Sequence, residues 1–188
     1  MKSPLLTSLA MITLAVGGAS ALSAKTSAQA NPMVGGAAMY ATKNIVENAV
    51  NSKDHTTLVA AVKAADLVDT LSSPGPFTVF APTNAAFAKL PAGTVDTLLK
   101  PENKPTLTAV LTYHVVPGRI TAAQIAANAK AHGGKATYAT VQGGMLTFAQ
   151  GPKGWTITDA KGNTGNITIA NVMQSNGVIH VIDTVMLP

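Results

Sequence analysis

Apolar residues recur at three- and four-residue intervals from about residue 44 to residue 125, and at two-residue intervals beyond the Gly133-Gly134 pair. The first period belongs to amphipathic helices and the second to half-buried strands. Ile45, Val46, Ala49 and Val50 predict a short helix. Thr56 is placed to cap a second, with Leu58, Val59, Val62 and Ala65 on one face and Lys63 on the other, and Leu67, Val68 and Leu71 extend the apolar face by a further turn. Ser73-Pro74-Gly75-Pro76 ends this run, because two residues lacking an N–H cannot continue a helix. Phe77-Thr78-Val79-Phe80-Ala81, aromatic and β-branched, reads as a buried strand closed by Pro82. Thr83 or Asn84 then caps a helix through Ala86, Phe87 and Leu90; Thr94 opens another with Val95, Leu98 and Leu99; and Pro105 suits the first turn of a third carrying Leu107, Val110 and Leu111. That third helix is predicted to run out near Tyr113-His114-Val115-Val116, with a turn at Pro117-Gly118 and an Ala-rich helix holding Ile125 from Thr121. Strands are predicted over 136–141, 145–149, 155–158, 166–171 and 178–186, separated by glycine-containing turns. Helices first and antiparallel strands afterwards indicate an α+β fold in which the single early strand joins the later sheet.

Residues 1–30 read as a cleavable signal peptide: Lys2, an apolar stretch with Leu6, Leu9, Ile12 and Leu14, then small residues ending at Ala28-Gln29-Ala30. Ala19-Ser20-Ala21 offers an earlier cleavage position. The apolar stretch, interrupted by Thr7, Ser8 and Thr13, is shorter than the roughly 20 residues a spanning helix needs. Residues 31–43, rich in glycine and alanine, are expected to form a flexible arm, although Met33, Val34, Met39 and Tyr40 give it means to dock. The domain proper is expected over 44–188, in a protein that is secreted or periplasmic.

The chain has no cysteine, so an exported domain must hold itself together through its core. Its 13 basic and 8 acidic residues give +5; without Lys2 and Lys25 the balance is 11 to 8, or +3. The lysines are scattered and Arg119 is the sole arginine, which is not the concentrated basic stripe of a nucleic-acid binder. Four histidines (His55, His114, His132, His180) show no metal-ligand spacing. The chain contains no Gly-x-Ser-x-Gly elbow, Asp66 and Asp69 read as a solvated helix face, and the glycine pairs at 133–134 and 143–144 do not make a phosphate loop. No catalytic residue, metal or cofactor is implied.

Three stretches resemble the fasciclin (FAS1) domain family in order: Thr78-Val79-Phe80-Ala81-Pro82-Thr83-Asn84-Ala85-Ala86-Phe87, Tyr113-His114-Val115-Val116-Pro117-Gly118, and Asn176-Gly177-Val178-Ile179-His180-Val181-Ile182-Asp183. The resemblance covers about residue 44 to the end and is similar to the family's single-domain bacterial secreted members. It implies a β-wedge or sandwich of mainly antiparallel strands under a layer of short helices, and a non-catalytic adhesion or binding module that contacts a macromolecule at a cell surface or matrix. Tyr113 and His114 are the partner-contact residues the resemblance suggests, but Tyr113 continues the spacing of Leu107 and Val110, which equally suits a packed ring with an anchored hydroxyl. His180, flanked by aliphatic residues, reads as a core histidine. With no Arg-Gly-Asp sequence, integrin recognition does not carry over. Because some relatives bind carotenoids, the alternative is an apolar carotenoid or lipid carrier using Met145, Phe148 and Trp155, with Leu146, Met33 and Met39 nearby in character.

Overall fold

The computed structural model describes residues 31–188; the expected signal peptide lies outside the described residues. The helices form one layer: α1 (Ile45–Ala49), α2 (Thr56–Ala64), α3 (Val68–Ser72), α4 (Asn84–Ala88), α5 (Thr94–Leu98) and α6 (Lys104–Tyr113). Helix α7 (Ala122–Ala131) packs against the far strands. A small hairpin, β1 (Met33–Val34) and β2 (Ala37–Ala38), precedes them. The main sheet comprises β3 (Phe77–Pro82), β4 (Val115–Pro117), β5 (Lys135–Ala139), β6 (Met145–Gly151), β7 (Gly154–Thr158), β8 (Thr164–Gln174) and β9 (Gly177–Ile182), in the order β4-β3-β9-β8-β7-β6-β5. All neighbours are antiparallel except β3 and β9, which run parallel with Phe80 opposite His180. The Val141 amide donates to the Val115 carbonyl at 2.8 Å, so the far end of the sheet curls back to β4 and the wedge almost closes into a barrel.

Two cores result, and β3 and β9 separate them. Val79, Ala81, Ile179 and Val181 face the helical layer, where they meet Ile45, Leu58, Val62, Leu107 and Leu111. Phe80 and Ile182 face the interior of the curled sheet with Leu146, Phe148, Ile157 and Ile125. Burial on both faces explains why these two strands read as continuous apolar runs while β5 to β7 alternate. Each such aliphatic or aromatic side chain contributes about 1.5–3 kcal/mol.

Thr83, one of the two residues expected to do so, caps α4, and Thr121, the expected start of a helix, caps α7 with a full capping box to Gln124. Four expectations are corrected. Residues 31–43 are not a free arm: their hairpin docks, with Val34 and Met39 buried in the helical core, the Lys53 amide donating to the Gly35 carbonyl at 3.2 Å and the Tyr40 amide to Asn48 Oδ1 at 3.1 Å. Thr56 is not a cap but the first residue of α2, entered through a 3₁₀ turn at Lys53–His55. The capping acceptor comes from elsewhere in the chain, since Asn84 Oδ1 receives the Thr57 amide at 3.0 Å. Finally, Val115 and Val116 leave α6 to form β4 against β3, and the last strand stops at Ile182, although Val185 and Met186 remain buried beyond it.

Candidate functional site

Tyr113 and His114 lie at the end of α6 with their side chains inside the domain. Helix α6 turns Leu107, Val110 and Leu111 toward the helical core, and its last residue, Tyr113, sends its ring into the sheet interior, where it is 0 % exposed. The phenol donates to the Met145 carbonyl at 2.7 Å and accepts the Ala160 amide at 2.9 Å. Burial pushes its pKa up. His114, 2 % exposed, has both ring nitrogens engaged: Nδ1 lies 2.7 Å from the Val110 carbonyl and Nε2 receives the Met186 amide at 3.0 Å. An acceptor at Nδ1 and a donor at Nε2 require the neutral Nδ1–H tautomer. Burial lowers its pKa to about 4, against the smaller opposing effects of the Val110 carbonyl and Asp159. The pair therefore fastens α6 to the β5–β6 turn, the β7–β8 turn and the C-terminal segment.

Asp159 completes this fastening by accepting the Lys161 and Asn163 amides and the Leu187 amide, each at 2.9 Å. His180 is equally internal. Its Nε2 lies 2.8 Å from the Ile120 carbonyl, its ring stacks on Phe80, and burial lowers its pKa. His55 is held by Ser52 at 2.9 Å, and burial lowers its pKa as well; its Nε2 has no hydrogen-bond partner among the described residues, the Ala81 carbonyl and Asp54 only partly offsetting the loss of water.

Phe148 and Trp155 share the sheet core, but Met145 lies outside it. Phe148 is fully buried between Phe80 and Tyr138, Met145 is 48 % exposed, and Trp155 lies half-buried at the margin of the sheet core. Two apolar cavities lie in the helical layer. One of about 40 Å³ is lined by residues including Val46, Leu58, Val62, Leu71 and Leu111, and one of about 30 Å³ by residues including Val34, Met39 and Ile179. Ligand pockets commonly span roughly 300–1,000 Å³, so neither is preformed for a carotenoid or an acyl chain. Among the described residues no helix is long and apolar enough to cross a membrane, and no group of three or more His, Asp or Glu side chains is arranged to hold a metal ion.

A roomier feature opens where the loops at the parallel end of the sheet meet. This surface cleft, about 500 Å³, is lined by Asn44, the N-cap of α1, and Glu47 of α1, by Ser72 and the Pro74-Gly75-Pro76 turn, by Arg119, and by Ser175 and Asn176 of the β8–β9 turn. Asn176 organises it: Oδ1 accepts the Ile45 amide at 3.1 Å, and Nδ2 donates to the Leu71 and Ser73 carbonyls at 2.8 and 2.9 Å. One buried amide thus joins α1, α3 and the β8–β9 turn. Sequence reading passed over this cleft; its traces were the lone arginine and the Asn-Gly turn, but the four loops that form it meet only in the fold.

The fasciclin domain model matches residues 53–188. The chain belongs to the fasciclin domain family. The fasciclin domain here is 52 % identical over 158 residues to Protein sll1483 of Synechocystis, covering 83 % of this chain and 79 % of that protein. It is 34 % identical to the immunogenic protein MPB70 of Mycobacterium bovis, covering 96 % of each, and 34 % identical to that organism's cell surface glycolipoprotein MPB83, covering 87 % of this chain and 77 % of the other. In fold it resembles the FAS1 domain pair of the insect cell adhesion molecule fasciclin I, with a TM-score of 0.68 at 17 % identity; the match covers 78 % of this chain and 51 % of the pair. In this fasciclin domain the tyrosine-histidine motif and the closing signature both lie in the hydrogen-bonded interior.

Proposed function

We propose that this fasciclin domain is an exported, non-catalytic adhesion module that contacts a protein at the cell surface or in the surrounding matrix. One observation carries the reading. The tyrosine and histidines of the signature motifs are buried and hydrogen-bonded, whereas the largest of the cavities described above is a cleft open at the surface and lined by charged and amide side chains. Reactive groups sealed in a core serve architecture, while a rigid body presenting loops serves recognition. Relatives named as a cell surface glycolipoprotein and as a cell adhesion molecule support the same reading.

The test is fractionation of the native host together with retention of the purified mature protein on its envelope. Adhesion predicts the protein outside the cytoplasm and retention abolished by protease treatment of the envelope. A cytoplasmic pool with no retention would overturn it. The carotenoid or lipid alternative predicts a visible chromophore or an extractable lipid at about one per chain, a result that would require the small apolar cavities to open.

A further inference from the structure

We infer that the Arg119 cleft is the partner-contact site and that it receives a carboxylate side chain on an extended segment of a protein. For the kind of partner, this rests on the adhesion reading above; for the chemistry, it rests on the cleft itself. Arg119 is the only arginine of the chain. Its Nη2 donates to the Gln174 and Ser175 carbonyls at 3.3 and 3.2 Å, which anchors the guanidinium against the β8–β9 turn. Its Nε and Nη1 donors have no acceptor among the described residues, and no carboxylate there pairs with it. The nearby acid is spoken for: Glu47 accepts the Asn44 amide at 2.8 Å inside the capping box of α1. A positioned, unpaired guanidinium in a cleft is matched by a carboxylate through charge-assisted hydrogen bonds.

The walls are preorganised. Asn176 ties three of the loops together, the Phe77 amide donates to the Asn176 carbonyl at 3.1 Å, and Gly118 donates to the Pro76 carbonyl at 2.9 Å. Gly75 lies so close to the Asn176 carbonyl that a Cβ would sit 2.2 Å from it, so the two loops pack backbone to backbone. Ser72 and Ser175 line the same space, and a serine hydroxyl can both donate to and accept from the main chain of a bound segment. Glu47 lines the same cleft and sets the charge limit: one anion beside Arg119 is favoured, whereas a densely charged polyanion meets repulsion from its carboxylate.

Having one arginine makes the test direct, because the mature protein shows a single arginine Nε–H resonance. The protein is titrated with three probes: the blocked peptide acetyl-Gly-Glu-Gly-Gly-amide, its Gln counterpart, and inorganic phosphate. The expected result is a saturable shift of the Arg119 Nε–H and of the Ser72, Gly75 and Ser175 amides with the Glu peptide, with Kd on the order of 1 mM. The Gln peptide should give at least about tenfold weaker binding, Arg119→Lys about three- to tenfold weaker, and Arg119→Gln none. Thermal melting of both variants checks that they fold; Arg119→Lys, which keeps the charge, remains informative if Arg119→Gln does not. No shift at the cleft, equal shifts with the Gln peptide, or tighter binding of phosphate would each overturn the assignment. Envelope retention separates the two readings. Wild-type protein and Arg119→Gln retained equally would refute the cleft and leave adhesion standing, while failure of the wild type to be retained at all would refute adhesion and the protein partner with it.

Discussion

Replacing Tyr113 by Phe asks whether the family's central motif is a contact surface or a fastener. The substitution keeps the ring, and so the packing in the sheet core, and removes only the hydroxyl. Two hydrogen bonds go with it, one to the Met145 carbonyl at 2.7 Å and one from the Ala160 amide at 2.9 Å. Each bond is worth about 0.5–1.5 kcal/mol net, and a buried group left unpaired costs about 1–3 kcal/mol. Met145 and Ala160 themselves lie toward solvent, so water recovers part of the loss and the expected destabilisation is about 1–2 kcal/mol. Urea unfolding of the wild type and variant gives that difference directly, as a lower midpoint with unchanged slope. In a thermal melt it corresponds to a fall of about 2–8 °C for a domain of this size. Tyr113→Ala should cost more, about 3–5 kcal/mol, because it also leaves a cavity. Retention on the envelope should be unchanged for the Phe variant at temperatures where it is folded. A variant as stable as the wild type that no longer adheres would refute the reasoning and return Tyr113 to the binding surface.

His114 makes stability depend on pH. Its folded pKa, about 4, lies below the ordinary 6.5, so the unfolded chain binds the proton first and stability is lost as pH falls from about 6.5 toward 4. That difference corresponds to about 3 kcal/mol in all; His55 and His180 act in the same direction, and His114→Gln should flatten the slope of unfolding free energy against pH by about one proton. Asp183 acts at lower pH. Burial alone would raise its carboxyl, but bonds from the Asn166 amide and side chain and from Thr184, with Lys89 nearby, hold it below 3.8, so its contribution is lost as pH falls through that lower value. Asn176→Ala removes three hydrogen bonds that join separate segments and should cost about 2–4 kcal/mol in urea unfolding, with early loss of amide protection at Ile45. Gly177→Ala places a Cβ 2.1 Å from the Phe77 carbonyl, so β3 and β9 must separate; a loss above about 2 kcal/mol is expected, and a neutral variant would show that their approach is looser than described.

Period and punctuation alone were enough to place most elements. The stripes through Leu58 and Leu107, the Pro-Gly stops, the caps at Thr83 and Thr121 and the alternation beyond Gly134 are local consequences of backbone sterics and side-chain polarity. Those are decided within a turn or two of chain. What the tertiary structure decided is everything that depends on partners distant in sequence. The parallel pairing of β3 with β9 joins segments about a hundred residues apart, the acceptor at the start of α2 comes from Asn84 rather than Thr56, and Val34 and Met39 are core because a hydrophobic layer lies beneath them. The same distinction governs the site. That Tyr113 would pack could be suspected from its spacing, but whether its hydroxyl met water or the Met145 carbonyl was beyond any local pattern. Arg119 was visible as the lone arginine of a weakly basic chain. Only the meeting of four loops around Asn176 turns it from a surface charge into one wall of a cleft, because recognition depends on donors held in fixed relation and such relations are set by packing.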